Sequence, residues 1–197
     1  MEHMKRLDLA LPIRLSPRLS MRTDLHLARK AWHMFMGLFI VGLYMAGIPK
    51  VVGIVILSAV LTFDLAVEMA RLRNPELNQK VMRLWGPLMR SSEADHVSGV
   101  PYYLMAAILT MAIFPKPIAA LSILYLACGD PIASLVGIMY GDRSVRLPNG
   151  KSLIGTSAGV LVCTIVTFVF CQGYQLPPST LFALSIFGGL AGGAAEL

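Results

Sequence analysis

Apolar runs at about 32–48, 51–70, 99–115, 117–141, 153–172 and 180–195 alternate with short polar breaks along the chain. The breaks read "GIPK", the longer stretch 71–98, "PKP", "GDRSVRLPNGK" and "QGYQLPPS". A helix needs about 20 apolar residues to cross the hydrocarbon core of a bilayer. The pattern therefore predicts an all-α fold, a polytopic transmembrane helix bundle of about six spans. No repeat at a period of about 20–50 residues appears, and nothing suggests a soluble second domain.

Within the long polar stretch, "LNQKVMRLWGPLM" (77–89) gathers Leu77, Val81, Leu84, Trp85, Leu88 and Met89 on one helical face, with Lys80 and Arg83 on the other side. That arrangement predicts a helix lying in the membrane interface. Its first reading is an amphipathic connector packed on the bundle; its second is a lipid-entry surface beside a site.

Composition agrees with a membrane protein. Of the 197 residues, 56% are hydrophobic and only 14% charged, where soluble domains carry about 25% charged residues. Cys128, Cys163 and Cys171 all lie in apolar runs without metal-ligand spacing, so they read as small packing residues and give no disulfide framework. No short apolar segment with a cleavage site precedes the first span, so no removable signal peptide is expected.

Charge sets an orientation. With the N-terminus in the cytoplasm and six alternating spans, the inner segments carry Lys5, Arg6, Arg14, Arg18, Arg22, Arg29 and Lys30, then Arg71, Arg73, Lys80, Arg83 and Arg90, then Arg143, Arg146 and Lys151. Only Lys50 and Lys116 fall outside. This positive-inside bias predicts a basic cytoplasmic segment over 1–30 ahead of a transmembrane domain over 31–197. It also accounts for the net charge of +6 through anionic membrane lipids. No nucleic-acid recognition module is present, so no nucleic-acid partner is expected.

Against this background the buried-looking charges stand out. In "CGDPIAS", Asp130 is a preferred N-cap residue and Pro131 is favoured at a first helical position. The pair predicts a span broken at Asp130-Pro131, with a half-helix aiming its positive dipole end into the interior, suited to a phosphate or to a metal held by the aspartate. Gly129, Ala133, Gly137 and Gly141 then form a small-residue stripe that allows close approach of a helix or a ligand. In "LTFDLAVEMARLR", Asp64, Glu68 and Arg71 share one helix face. A carboxylate at bilayer depth costs roughly 2.5–3.5 kcal/mol, so such acids are functional candidates by default. Glu68 has a second reading, as a partner for Arg71. In "LPNGKSLIGTSAG" a phosphate-binding loop would need Gly at 145, where Val stands, so that motif is rejected. Lys151 and Ser152 at the start of the fifth span read as a positive-inside anchor or, beside Asp130, as a neutraliser of nucleotide phosphate. His3, His26 and His96 are expected to face solvent. His33 sits where the first span meets the interface, a position suited to a role near the acids and not to metal binding.

The ordered set of short motifs resembles the CTP-dependent lipid kinases: dolichol kinase, phytol kinase and the CTP-using diacylglycerol kinase. The resemblance covers about 29–197. It runs through "RKAWH" (Arg29, Lys30, His33), Glu68, Arg71, Pro75 and Asn78, then "LMRxxE" with a following glycine (Arg90, Glu93, Gly99). It continues in "GDxxAxxxGxxxG" (Asp130, Ala133, Gly137, Gly141) and "KSLxGT" (Lys151, Ser152, Gly155). It implies a multi-pass enzyme with a cytoplasm-facing site that moves the γ-phosphoryl group of CTP to a lipid alcohol. Asp130 would hold Mg²⁺ on the triphosphate, while Lys151 and the half-helix stabilise phosphate charge. Glu68 or Glu93 would activate the hydroxyl or hold a second metal, and Arg71 and Arg90 would clamp phosphates. Arg29, Lys30, His33, Asn78, Gly137, Gly141, Ser152 and Gly155 complete the implied nucleotide site. Asp64 lies one turn before the position matching the family's acid, which favours Glu68. The family also continues past a glutamate like Glu196 into an Asp-Asn motif and another span, so a missing C-terminal part is expected.

Two alternatives stand beside this one. Phosphatidate cytidylyltransferases also use CTP and Mg²⁺ but show a Ser-Pro-Lys-Lys-Thr run where this chain has "NGKSLIG". A transporter binding substrate at a broken helix would need matching breaks in two halves, and only one is present.

Overall fold

The computed structural model describes residues 26–141 and 144–195. Their architecture is helical throughout, and the one extended pairing is a single antiparallel bridge between Arg146 and Ser152. The helices are α1 (Leu27–Met45), α2 (Lys50–Arg73), α3 (Pro75–Trp85), α4 (Gly99–Ile113), α5 (Lys116–Leu124), α6 (Asp130–Tyr140), α7 (Leu153–Cys171) and α8 (Pro178–Ala195). Each apolar run becomes a helix, as the hydropathy pattern predicts.

Four helical stretches are long and apolar enough to cross a membrane: Lys50–Arg73, Lys116–Tyr140, Leu153–Tyr174 and Pro178–Ala195. The other two runs fall short for identifiable reasons. α1 spends its first two turns on Arg29, Lys30 and His33. α4 has 15 residues, roughly 22 Å of rise against a hydrocarbon core of about 30 Å. The outer faces are apolar, with Phe63, Ile113, Val169 and Phe187 all more than 60% exposed. Such surfaces suit lipid and would be an aggregation hazard in water.

Inside, Ile40, Val41 and Tyr44 of α1 meet Leu57 of α2, Leu104, Ala107 and Met111 of α4, and Ala119, Ala120, Ile123 and Leu124 of α5. At the end of the bundle carrying Lys50 and Lys116, Lys50 donates to the Ala112 and Phe114 carbonyls, covering the C-terminus of α4. Lys116 lies over the Tyr44 ring.

The interruption at Asp130-Pro131 takes a form the sequence did not predict. The helix does not open. Tyr125–Gly129 widens into a π turn that joins α5 to α6, and Asp130 has ordinary helical dihedrals (φ −57, ψ −49). Pro131 explains the widening, because its ring would strike the carbonyl four residues back in a regular helix. The Asp130 N–H therefore donates to the Tyr125 carbonyl, five residues away. No free half-helix N-terminus results, and Asp130 occupies the first position of α6 instead of capping it.

The interfacial helix is α3. Asn74 caps it by accepting from the Glu76 and Leu77 N–H groups, with Pro75 at its first position. It stops at Trp85, ahead of the predicted Met89, because Gly86-Pro87 turns the chain into a short 3₁₀ segment. The predicted basic segment 1–30 lies almost wholly outside the described residues, as do His3, Arg143 and Glu196.

Candidate active site

The polar stretch between α2 and α4 is held by one buried arginine. Arg71 is completely buried and Glu68 nearly so. Arg71 Nε and Nη2 donate to the two Glu68 oxygens at 3.0 and 2.7 Å. Nη1 reaches Asn78 Oδ1 and the Ala94 carbonyl, and Nη2 also reaches the His96 carbonyl. All the N–H donors of the guanidinium are used, and the planar fork suits this bidentate geometry. Asn78 Nδ2 donates to the same Ala94 carbonyl, and the Ser98 N–H donates to Glu68 Oε2. Glu68, Arg71 and Asn78, three of the sequence-predicted residues, thus converge on the backbone of 94–98. In this arrangement Arg71 has no donor left for a phosphate.

A second ion pair ties α1 to the same loop. Arg29 Nη1 donates to both Glu93 oxygens, at 2.8 and 2.9 Å, and the Arg90 N–H donates to Glu93 Oε2. Burial works against the Glu93 charge, but the Arg90 N–H and the hydrogen bond and charge of Arg29 outweigh it, holding the carboxyl below the usual range. Gly99 keeps the space clear, since a Cβ there would meet the Arg29 guanidinium at 2.7 Å.

One position on, Lys30 lies within the electrostatic reach of Asp130. Burial pushes its ammonium below the ordinary value, the Asp130 carboxylate opposes the change, and Arg90 adds to it. Lys30, Arg90 and the exposed Asp130 therefore share one electrostatic neighbourhood. The Asp130 charge also acts on His33. His33 has a structural duty besides. The Asp130 N–H serves Tyr125, and Pro131 has no N–H, so the π turn leaves the Leu126 carbonyl without a helical donor. His33 Nε2 lies 3.0 Å from that oxygen. A carbonyl only accepts, so Nε2 carries the proton. The imidazole edge packs on Tyr103, with ring centroids 4.5 Å apart.

Gly137, Gly141, Ser152 and Gly155 come together at the crossing of α6 and α7. Ser152 caps α7 by accepting from the Gly155 N–H at 3.2 Å. A Cβ on Gly155 would lie 2.8 Å from the Ala133 carbonyl oxygen and 3.0 Å from Gly137 Cα. The stripe is filled by helix packing. Lys151 is exposed and sits beside the 137–141 end of α6. At 1.5 Å per residue that is on the order of 10–16 Å along the axis from Asp130, so the structure separates these two residues.

Two pockets flank the Arg29–Glu93 pair. One, of about 330 Å³, is lined by the charged Arg29, Arg90 and Glu93 together with His96, Val97 and Tyr102. The other, of about 430 Å³, lies among α1, α2, α3 and α4 and is walled by apolar side chains such as Met36, Val60, Val67, Val81 and Leu104. Its polar members are Arg29, His33, Asp64, Glu68, Glu93, Ser98 and Tyr103. The sequence marks Asp64 as an acid at bilayer depth but ranks it behind Glu68; nothing in the sequence marks Tyr103.

Among the described residues no cluster of three or more His, Cys, Asp and Glu side chains is assembled to hold a metal ion. A magnesium ion bound mainly by phosphates needs only one or two carboxylates, and exposed Asp130 fits as one. Glu68 does not fit, because both its oxygens are engaged by Arg71 and Ser98.

Membrane-length helices with a cluster of paired charges at one end of an apolar cavity define an integral membrane protein with a site between its helices. The chain is 33% identical to the CTP-dependent diacylglycerol kinase 1 of Eremothecium gossypii over 76% of its own length, and spans about half (47%) of that relative. It is 30% identical to the CTP-dependent diacylglycerol kinase 1 of Schizosaccharomyces pombe over 80% of its length and 72% of the relative's. An uncharacterized Rickettsia prowazekii protein is 25% identical over 88% of this chain and 83% of its own. No family model and no solved structure matches. The chain belongs to the CTP-dependent lipid kinase family.

Proposed function

We propose that the protein transfers the γ-phosphoryl group of CTP to the hydroxyl of a membrane-dissolved lipid alcohol, with diacylglycerol the acceptor that its relatives' names point to. The observation that carries this reading is the adjacency of two unlike spaces. An apolar cavity suited to lipid and a pocket carrying the charges of Arg29 and Arg90 share Arg29, Glu93, Ser98 and Gly99 as a common wall. In phosphoryl transfer the protein's work is positioning and charge stabilisation. Arg90 and Lys30 supply positive charge near Asp130. The Arg29–Glu93 pair fixes the first turn of α1 against the loop, so that Lys30 and His33 hold their directions. A magnesium ion carried on the triphosphate would be held by Asp130 and would neutralise charge on the β- and γ-phosphates. The positive-inside charge distribution supports a cytoplasmic N-terminus and site.

The test is incubation of the full-length protein with CTP labelled at either the α- or the γ-position, magnesium, and a panel of diacylglycerol, phytol and polyprenol. Label from the γ-position is expected in a lipid phosphate, with α-label remaining in CDP. Asp130→Asn, which keeps size and removes charge, is expected to insert normally and lose turnover by orders of magnitude. Lys151→Ala, which removes an ammonium beside the far end of α6, is expected to lower turnover less than Asp130→Asn does. Pyrophosphate release with α-label in the lipid would overturn the kinase reading in favour of cytidylyl transfer.

A further inference from the structure

Two acids stand one turn apart on α2, and the structure treats them oppositely. Glu68 has both oxygens bound. Asp64 Oδ2 is buried without any hydrogen-bond partner. So is the Tyr103 hydroxyl, on the facing helix α4. Both residues line the apolar cavity. An unpartnered buried polar atom is costly and rare, and it calls for a reason. Here the two residues that carry these atoms, a carboxylate and a phenol, both line one space. Its volume of about 430 Å³ falls within the roughly 300–1,000 Å³ of small-molecule sites. Val60, Phe63 and Val100 of its wall are also exposed on the outer apolar face, so it adjoins the lipid-facing surface.

We infer that this cavity is the acceptor site and that Asp64 is the proton acceptor of the transfer. The inference rests on the kinase reading. The occupant is the hydroxyl-bearing end of a lipid alcohol, with its chain leaving between apolar walls. The hydroxyl donates to the Asp64 carboxylate, beside the Tyr103 ring that lines the same space. As that oxygen bonds to the γ-phosphorus, the bond from the γ-phosphorus to the β–γ bridging oxygen breaks. CDP leaves with that electron pair, and the hydroxyl proton passes to Asp64. Arg29, shared by the cavity and the charged pocket, marks the side from which the phosphate arrives. Glu68 is then a positioning residue that holds the 94–98 loop.

The experiment compares the full-length wild type with Asp64→Asn and Tyr103→Phe in lipid nanodiscs. Readouts are γ-label transfer, melting temperature, and the site labelled by a diacylglycerol carrying a photoreactive group near its glycerol end. Asp64→Asn is expected to lower kcat by about 10²–10⁴-fold, the usual range for loss of a general base. The KM for CTP should stay within threefold and the melting temperature should not fall, since no native hydrogen bond is removed. Tyr103→Phe, which removes a hydroxyl packed at Gly37 of α1, is expected to keep kcat and the KM for the lipid within threefold. The photoreactive lipid should label α1, α2 or α4 at cavity-lining positions. An active wild type whose Asp64→Asn variant keeps transfer within threefold, or loses it only together with a lowered melting temperature, overturns the assignment. So does labelling confined to helices outside the cavity. A wild type that transfers label to no alcohol overturns the kinase reading itself, and is thereby distinguishable.

Discussion

Replacing Arg71 with leucine tests whether the buried arginine is architecture. The change removes donors to Glu68, Asn78 Oδ1 and the Ala94 and His96 carbonyls. It also leaves a carboxylate that is 5% exposed without its counter-charge. Breaking a buried pair from one side costs about 3–5 kcal/mol, a shift of roughly 10²–10⁴ in the folded-to-unfolded ratio. Removing both charges with Glu68→Leu and Arg71→Leu together should recover at least half of that loss, because the uncompensated charge goes too. What remains of the loss is the Ser98 N–H and Asn78 Oδ1 deprived of these partners, while the Ala94 carbonyl keeps Asn78 Nδ2. Unfolding in mixed micelles can be followed by tryptophan fluorescence, since Trp32 of α1 and Trp85 of α3 sit 6.2 Å apart between ring centroids and report on docking of α3. A single variant within about 1 kcal/mol of wild type, or a double variant no more stable than the single, would refute the architectural reading. Full stability with lost activity would instead place Arg71 on a substrate.

Gly155→Ala should destabilise the protein and lower activity together, because its Cβ would press on the Ala133 carbonyl and Gly137 Cα, both backbone atoms unable to yield cheaply; a thermal melt beside the transfer assay checks both. Glu93 titrates below its ordinary 4.5 in the folded protein, so its stabilisation is complete above that value and disappears as pH falls through the lower folded one. Stability followed from pH 6 to 3 should therefore fall more steeply for the wild type than for Glu93→Gln; parallel curves would contradict the pairing. Cysteines introduced at Asn149 and Ser179, on either side of α7, should label from opposite faces of the membrane, with Asn149 cytoplasmic.

Much of this was legible in the chain because hydropathy and helix period act locally. The runs, α3 and the Asn74-Pro75 helix start follow from residue types a few positions apart. The motif residues likewise converge where their order suggests, at the ends of α1, α2 and α4. What the sequence could not reveal depends on partners distant in the chain. Glu68 and Asp64 look alike on one helix face, and only the Ser98 N–H, 30 residues on, together with Arg71 decides which keeps a free oxygen. Tyr103 gains interest only because α1 and α2 close a cavity around it. Lys151 is expected beside Asp130, whereas α6, 11 residues long, separates the aspartate from the polar break that ends in the lysine. Asp130-Pro131 is a sound helix-start signal that lost to continuity: with one widened turn the span keeps nearly all its backbone bonds, and its single orphan carbonyl is met by His33.

That widened turn also resets the phase of the span. A π turn absorbs one extra residue, which rotates everything after it by about 100° relative to an uninterrupted helix. Before it, Ala119, Ala120, Ile123 and Leu124 face the core shared with α1 and α4. After it, Ala133, Gly137 and Gly141 face α7. One rod of 25 residues therefore serves two sets of neighbours on different bearings, and excising a single residue from 125–129 would turn Asp130 and the glycine seam out of alignment while leaving the span long enough to cross the bilayer.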